Sequence, residues 1–200
     1  MNVKKVLTTI GYWVLSCTWG IIMTLIGAIG ALAMLVSGHK PHIFGYSVYF
    51  VVGSGWGGVN FGAFFFVAKT SDRLDMHQHE AGHGLQNLVF GVLMPFVVAI
   101  PSAVRCLIRG YDQKTKKLIA GLFSGAIALV GVVASILGFC FGNVVLGIGG
   151  AILAFYAPWL AYWLYCKEIP QYEGGAYVDY DAVWFEGSAT RLGETFFPAE

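Results

Sequence analysis

The chain has 200 residues, of which 57% are hydrophobic and 12% are charged, and its formal net charge is +1. Charged residues make up about 25% of an ordinary soluble domain, so the composition argues against a soluble globular protein and against a disordered chain. It predicts an integral membrane protein with the lipid bilayer as its main partner, and the near-neutral charge gives no indication of nucleic-acid binding.

The charged residues are clustered and leave four charge-free stretches, which are 6–38, 43–68, 84–104 and 118–166. Because a membrane-spanning helix needs about 20 apolar residues, the pattern predicts a mainly α-helical, polytopic membrane protein with about four transmembrane helices. We expect a membrane domain over residues 1–166 and a polar C-terminal tail over residues 167–200.

The first stretch follows Lys4 and Lys5 and is much longer than the apolar segment of a cleaved signal peptide, about 7–15 residues. It is therefore predicted to be a retained transmembrane span. The second stretch, 43–68, is rich in glycine, valine and aromatic residues. Two structures are consistent with it: a poor transmembrane helix, or a β-hairpin that turns near 53–58 and is shielded from lipid.

The third stretch contains Pro95 and Pro101, which predict a kinked or re-entrant helix. The last stretch has room for two helices. We expect a helical hairpin there that turns between Gly138 and Asn143, where glycine and asparagine interrupt the apolar run.

Lys4 and Lys5 precede the first stretch, and five more basic residues lie between residues 105 and 117, beginning with Arg105. Lysine and arginine concentrate on the cytoplasmic side of a membrane, so both segments are predicted to be cytoplasmic. An even number of membrane crossings must separate these two cytoplasmic segments. Since the first stretch is predicted to cross once, only one of 43–68 and 84–104 can cross. The final hairpin returns the chain, so both termini are expected in the cytoplasm.

Three of the five histidines lie close together, and residues 79–83 read His-Glu-Ala-Gly-His, an H-E-x-x-H pattern. On a helix, His79 and His83 lie one turn apart on the same face, where they can hold one metal ion. Glu80 is turned about 100° away, so it can act as a general base toward water without being a ligand. The pattern predicts a zinc (Zn2+) site on a helix near 76–90.

A catalytic zinc site usually has three protein ligands, and no aspartate or glutamate lies within the later apolar stretches. The tail reads W-F-E-G-S-A over residues 184–189. Together with H-E-x-x-H, this E-G-x-A segment resembles the gluzincin class of zinc metallopeptidases. The resemblance implies Glu186 as the third zinc ligand and Glu80 as base and proton shuttle. The spacing from His83 to Glu186 is much longer than is usual for that class, because the hairpin at 118–166 intervenes.

The form H-E-x-G-H-x-x-Q of residues 79–86 is also similar to that of small bacterial membrane proteins, and it implies the bacterial inner membrane as the location. Gln86 continues the histidine face and is a candidate for orienting a ligand or the substrate. Asp75 is a candidate carboxylate partner for a histidine ligand. Further candidates for supporting the ligands or the reaction are His77, Tyr172, Tyr177, Tyr180 and Arg191.

If Glu186 is the third ligand, the membrane topology is restricted, because Glu186 and the two histidines must lie on the same side of the membrane. The charge rule then requires 43–68 to cross and 84–104 to re-enter or lie along the interface. If 43–68 is a surface hairpin and 84–104 crosses, the two halves of the site lie on opposite sides.

The leading hypothesis is a membrane-embedded zinc-dependent hydrolase, a metallopeptidase that acts near the cytoplasmic membrane face on a peptide or membrane-protein substrate. The alternatives are a non-catalytic membrane metal-binding protein and a scaffold protein whose tail docks to a partner.

Overall fold

The computed structural model describes residues 3–199 and shows a mainly helical fold with a small four-stranded sheet. The chain forms two compact units, one that combines residues 3–99 with 180–199 and one that comprises residues 100–179. The chain therefore leaves the first unit after Ala99 and returns to it at Tyr180. This division differs from the predicted boundary at residue 166, because the last helix folds with the N-terminal elements.

The first charge-free stretch forms two helices. α1 (Val3–Thr18) and α2 (Ile21–Val36) have 16 residues each and are bent by 99° relative to one another. Asn87 holds this bend, since its Nδ2 donates a hydrogen bond to the Gly20 carbonyl oxygen at 3.2 Å, and a Cβ at Gly20 would collide with it. The predicted span over residues 6–38 is therefore a pair of helices broken near Gly20 rather than one straight helix.

The second stretch forms the sheet, which confirms the β alternative for residues 43–68. Its strands are β1 (His42–Phe44), β2 (Ser47–Val51), β3 (Gly58–Phe61) and β4 (Phe64–Val67). Their order is β1-β2-β4-β3, with β2 and β4 parallel and each outer strand antiparallel to its neighbour. The hairpin turns lie at Gly45 and Gly62, whose φ values of +58° and +68° favour glycine. The hairpin turn predicted near 53–58 does not form there: residues 53–57 connect β2 to β3, and Gly58 begins β3.

α3 (Leu74–Phe90) contains the H-E-x-x-H segment and ends at Gly91, where φ is +54°. A 3-10 turn over Gly91–Leu93 and a π-helical turn over Pro95–Ala99 follow it. The break before Pro95 confirms the predicted kink, since proline lacks the N–H group that would continue an α-helix.

The second unit contains the predicted helical hairpin. Its helices are α4 (Ile100–Ile108), α5 (Gln113–Cys140) and α6 (Val144–Trp163). Asn143 caps the N-terminus of α6, since its side-chain oxygen accepts a hydrogen bond from the Leu146 amide at 3.0 Å. A Cβ at Gly138 would collide with the backbone of Gly147, so the two helix backbones approach closely near the turn.

A fully buried arginine joins α4 to the chain that follows α6. Arg105 Nε donates to Glu168 Oε1 at 2.7 Å, and the Tyr172 hydroxyl donates to the same oxygen at 2.8 Å. Arg105 also donates to the carbonyl oxygen of Asp179 at 2.9 Å. The sequence places Arg105 among the basic loop residues, whereas the structure buries it in a helix as half of an ion pair.

The last helix, α7 (Trp184–Phe196), packs against α3 and completes the first unit. Much of the predicted polar tail therefore belongs to the folded core around the H-E-x-x-H helix.

Two helical segments among residues 3–199 are long and apolar enough to cross a membrane, Gln113–Cys140 and Val144–Gly175. In the most apolar 18 residues of each segment, only 17% and 22%, respectively, are buried within the protein. Most of these side chains therefore face outward, as in lipid-facing helices. Within the described residues the number rises to four if the helix pairs broken near Gly20 and Pro95 each form one span. The fold is therefore mainly helical with two to four candidate membrane spans.

Candidate metal centre

The two helices that carry the site pack together through small residues. A Cβ at Gly82 of α3 would collide with the carbonyl oxygen of Ala189 in α7, and a Cβ at Gly193 would collide with that of Gln78. The helix backbones therefore touch directly, which lets short side chains meet across the contact. The glycine of H-E-A-G-H and the alanine of E-G-S-A are both part of this contact.

His79, His83 and Glu186 meet at this helix pair and form a group that can hold a metal ion. The Nε2 atoms of the two histidines lie 3.1 Å apart, and Glu186 Oε2 lies 3.3 Å from His79 Nε2 and 3.1 Å from His83 Nε2. Ligand atoms held at about 2.0–2.1 Å from a tetrahedral zinc ion are roughly 3.3 Å apart. The three atoms are therefore close enough together to bind one metal ion.

Glu186 is fully buried in the first turn of α7. The positive end of the helix dipole favours a carboxylate at this position. Burial without a partner would be costly for a carboxylate, and the two imidazole nitrogens supply partners. Its burial excludes a solvated tail carboxylate and leaves Glu186 where it can hold a metal ion together with the two histidines.

Both histidines are also held through Nδ1. His83 Nδ1 lies 2.8 Å from Gln86 Oε1, and His79 Nδ1 lies 2.9 Å from Thr190 Oγ1. Because Nδ1 of each ring contacts a neighbouring side chain, Nε2 points toward the other two members of the group, as in metal-binding histidines generally. The sequence predicts a supporting role for Gln86 but misses Thr190, although its position four residues after Glu186 puts it on the same face of α7.

Glu80 lies beside the ligands in sequence but has different surroundings. Its side chain is buried, and Oε2 has no hydrogen-bond partner within residues 3–199. β3 covers it, because a Cβ at Gly58 would lie 2.5 Å from Glu80 Oε1, and Asn60 Nδ2 donates to the Glu80 carbonyl oxygen at 2.9 Å. Glycine at position 58 therefore leaves room for the carboxylate. A buried polar atom without a partner needs a physical explanation, and a catalytic role is one of those available.

Asp75 and His77 have partners of their own on other faces of α3. The Asp75 carboxylate is largely exposed and pairs with Arg73 Nε at 2.9 Å. His77 Nε2 lies 2.8 Å from Asp72 Oδ1, and its ring packs against Tyr49 with 4.6 Å between centroids. Burial, helped by the Asp72 carboxylate, raises the pKa of the Tyr49 hydroxyl. Neither predicted residue contacts the three ligand side chains in the described structure.

Tyr180 is a predicted supporting residue that the structure places beside a ligand. Its half-buried ring lies 5.7 Å, centroid to centroid, from the ring of His79. Arg191 is an exposed residue of α7. Tyr172 and Tyr177 belong to the second unit, where Tyr172 is bound to Glu168 and Tyr177 is 85% exposed.

The sheet over residues 43–68 and the three candidate ligands belong to the same compact unit. The sequence predicts that a surface hairpin at 43–68, combined with a crossing at 84–104, would leave Glu186 and the histidines on opposite sides of the membrane. The first unit contains both the sheet and the three side chains, so they meet without a membrane-crossing helix over residues 43–68.

Comparison with known proteins adds no family to these observations, because no protein-family model, curated protein or solved structure matches the chain. The resemblance to gluzincins is therefore confined to the H-E-x-x-H and E-G-x-A segments. What the structure establishes is a buried His-His-Glu group, with a buried glutamate next to it in sequence, in a mainly helical protein with candidate membrane spans.

Proposed function

We propose that the protein is a membrane-embedded zinc-dependent hydrolase of the metallopeptidase type, with Glu80 as its general base. The observation that carries the proposal is the convergence of His79 Nε2, His83 Nε2 and Glu186 Oε2, all within 3.3 Å of one another. Two histidines and a glutamate with one coordination position left for water or substrate are a donor set of catalytic zinc sites.

Zinc held by these three residues would supply Lewis acidity, which polarises a substrate carbonyl and activates a water molecule. Glu80 would take the proton from that water and deliver it to the leaving nitrogen as the peptide bond breaks. The unpartnered Oε2 of Glu80 supports this role, because the oxygen is available to accept a proton. Tyr180, which packs beside His79, would help to orient the substrate carbonyl.

The proposed setting is the bacterial inner membrane, with both termini and the metal site at the cytoplasmic face and a peptide or a membrane protein as substrate. The outward-facing apolar surfaces of Gln113–Cys140 and Val144–Gly175 support a membrane location. The basic residues Lys4 and Lys5, together with those between 109 and 117, support the orientation.

The proposal is tested on the purified full chain in detergent micelles by measuring zinc content and the hydrolysis of a labelled peptide library. Wild type is expected to hold close to one zinc per chain, and E186A and H83A are expected to lose it because each removes a ligand. E80Q is expected to keep the zinc and to lose at least about 100-fold in hydrolysis, since only the base is changed.

Wild-type protein without zinc would contradict the proposed metal site. Zinc binding with equal hydrolysis by wild type and E80Q would contradict the role of Glu80. If wild type binds zinc and cleaves no peptide in the library, the site is a non-catalytic metal centre instead.

A further inference from the structure

The side-chain amide of Gln86 connects the two helices of the metal centre. Its Nε2 lies 2.6 Å from the carbonyl oxygen of Phe185 and 2.7 Å from Ser188 Oγ, while its Oε1 lies 2.8 Å from His83 Nδ1. Gln86 is only 2% exposed, so solvent has little access to replace these contacts. Phe185 directly precedes the ligand Glu186, and the amide therefore joins a ligand of α3 to the turn that supplies the ligand of α7.

These contacts permit one orientation of the amide. A backbone carbonyl oxygen accepts hydrogen bonds and cannot donate them, so the amide NH2 group must face Phe185 and Oε1 must face His83. Because Oε1 is also only an acceptor, His83 Nδ1 must carry the proton of that hydrogen bond. A neutral imidazole with its proton on Nδ1 has its lone pair on Nε2, the atom that faces Glu186.

His79 has no comparable restriction. Its Nδ1 faces Thr190 Oγ1, and a hydroxyl group can either donate or accept a hydrogen bond. The backbone of α7 therefore sets the tautomer of His83 through Gln86, whereas Thr190 accommodates either tautomer of His79.

We propose that Gln86 is a positioning residue that couples metal affinity to the docking of α7. The inference rests on the metal site of the proposed function. The first turn of α7 then acts twice, because Glu186 binds the metal directly and the Phe185 carbonyl prepares His83 through the amide of Gln86. Movement of this turn away from α3 removes one ligand and also releases the tautomer of a second.

The test is a competition titration of the full chain in detergent micelles, with Zn2+ as the probe and a chromophoric chelator as the competitor. Q86M removes the amide at nearly constant volume, and we expect it to weaken zinc affinity by about 10–100-fold. Q78M is the matched control, because Gln78 Nε2 donates to the Phe197 carbonyl oxygen at 2.7 Å and so also links α3 to α7. We expect both variants to lower the melting temperature similarly and only Q86M to lower the affinity.

Q86E separates positioning from packing. Its carboxylate can still accept the hydrogen bond from His83 Nδ1 but has no donor for the Phe185 carbonyl. We expect Q86E to recover most of the affinity that Q86M loses while its melting temperature stays low.

The positioning role is contradicted if Q86M binds zinc as tightly as wild type, if Q78M loses as much affinity as Q86M, or if Q86E binds no better than Q86M. Wild type that binds no zinc would overturn the proposed metal site itself. Wild type that binds zinc without hydrolysing peptides would overturn only the enzymatic part, and the titration would still decide the role of Gln86.

Discussion

At the residue scale, Glu80 and Glu186 are two buried carboxylates whose different surroundings support the different roles proposed for them. Glu186 Oε2 lies within 3.3 Å of two imidazole nitrogens, whereas Glu80 Oε2 has no hydrogen-bond partner among the described residues. A carboxylate oxygen that already faces two other ligand atoms is suited to bind the same ion. Under the proposed function, Glu80 is then the carboxylate that exchanges a proton.

The ion pair of Arg105 and Glu168 gives a prediction at the same scale. Both side chains are fully buried, so R105M would leave the Glu168 carboxylate without its cation in a low-dielectric interior. We expect R105M to lower the free energy of unfolding by about 3–5 kcal/mol, as measured by denaturant titration in detergent micelles.

The double variant R105M/E168M is the control, because it replaces the whole pair with apolar side chains. We expect it to recover most of the stability that R105M loses, since no unpaired charge remains. Equal stability of R105M and wild type would show that the pair is not needed to hold α4 to the chain that follows α6.

At the element scale, the contact between α3 and α7 explains why the two motifs contain small residues. Gly82 has no room for a Cβ against the Ala189 carbonyl oxygen, and Gly193 has none against Gln78. The separation of the helices therefore sets the distance from Glu186 to the histidines. This makes helix packing a determinant of ligand geometry as well as of stability.

G82A tests this dependence. The added methyl group must push α3 and α7 apart, so we expect a loss of about 1–3 kcal/mol in the free energy of unfolding together with weaker zinc binding. G11A is the control, since nothing lies within 4 Å of a Cβ at Gly11 of α1. It should leave zinc binding unchanged and can stabilise α1 by about 0.5–1 kcal/mol. Wild-type zinc affinity in G82A would contradict the link between packing and ligand geometry.

The elements that the sequence predicts correctly are determined by residues that lie close together in the sequence. His79 and His83 are one helical turn apart in one segment, and the breaks at Pro95 and between Gly138 and Asn143 follow from residues at those positions. The bend at Gly20 could not be predicted from its own neighbours, because the residue that holds it, Asn87, lies far along the chain.

At the scale of the whole molecule, the first unit is formed by segments from both ends of the described chain, and the second unit comprises the residues that separate those segments in sequence. Because the chain returns to the first unit, Glu186 is buried there. The pattern of apolar residues alone predicts that residues 167–200 lie outside the core, so the sequence could imply Glu186 as a metal ligand only through the resemblance to gluzincins. Charge counting also misplaced one residue, because it treated Arg105 as a loop residue whereas the structure buries it in α4.

Removal of the metal gives a prediction for the first unit as a whole. Zinc at about 1,000 times its Kd would stabilise the folded state by about 4 kcal/mol, so a chelator should lower the melting temperature by several degrees. It should also increase proteolysis of residues 176–183, which precede α7. E186A should show no response to the chelator, and a response as large as that of wild type would contradict the proposed ligand set.

The sequence distance between the ligands also has a consequence in terms of chain entropy. His83 and Glu186 are 103 positions apart, and a metal that joins them would close a loop of that length. The entropic cost of closing a flexible loop grows only with the logarithm of its length, about 0.6 kcal/mol for each doubling. The long spacing that sets this chain apart from gluzincins is therefore only a small thermodynamic obstacle to the same ligand geometry. Chains with a shorter or longer α5–α6 hairpin could keep the site intact.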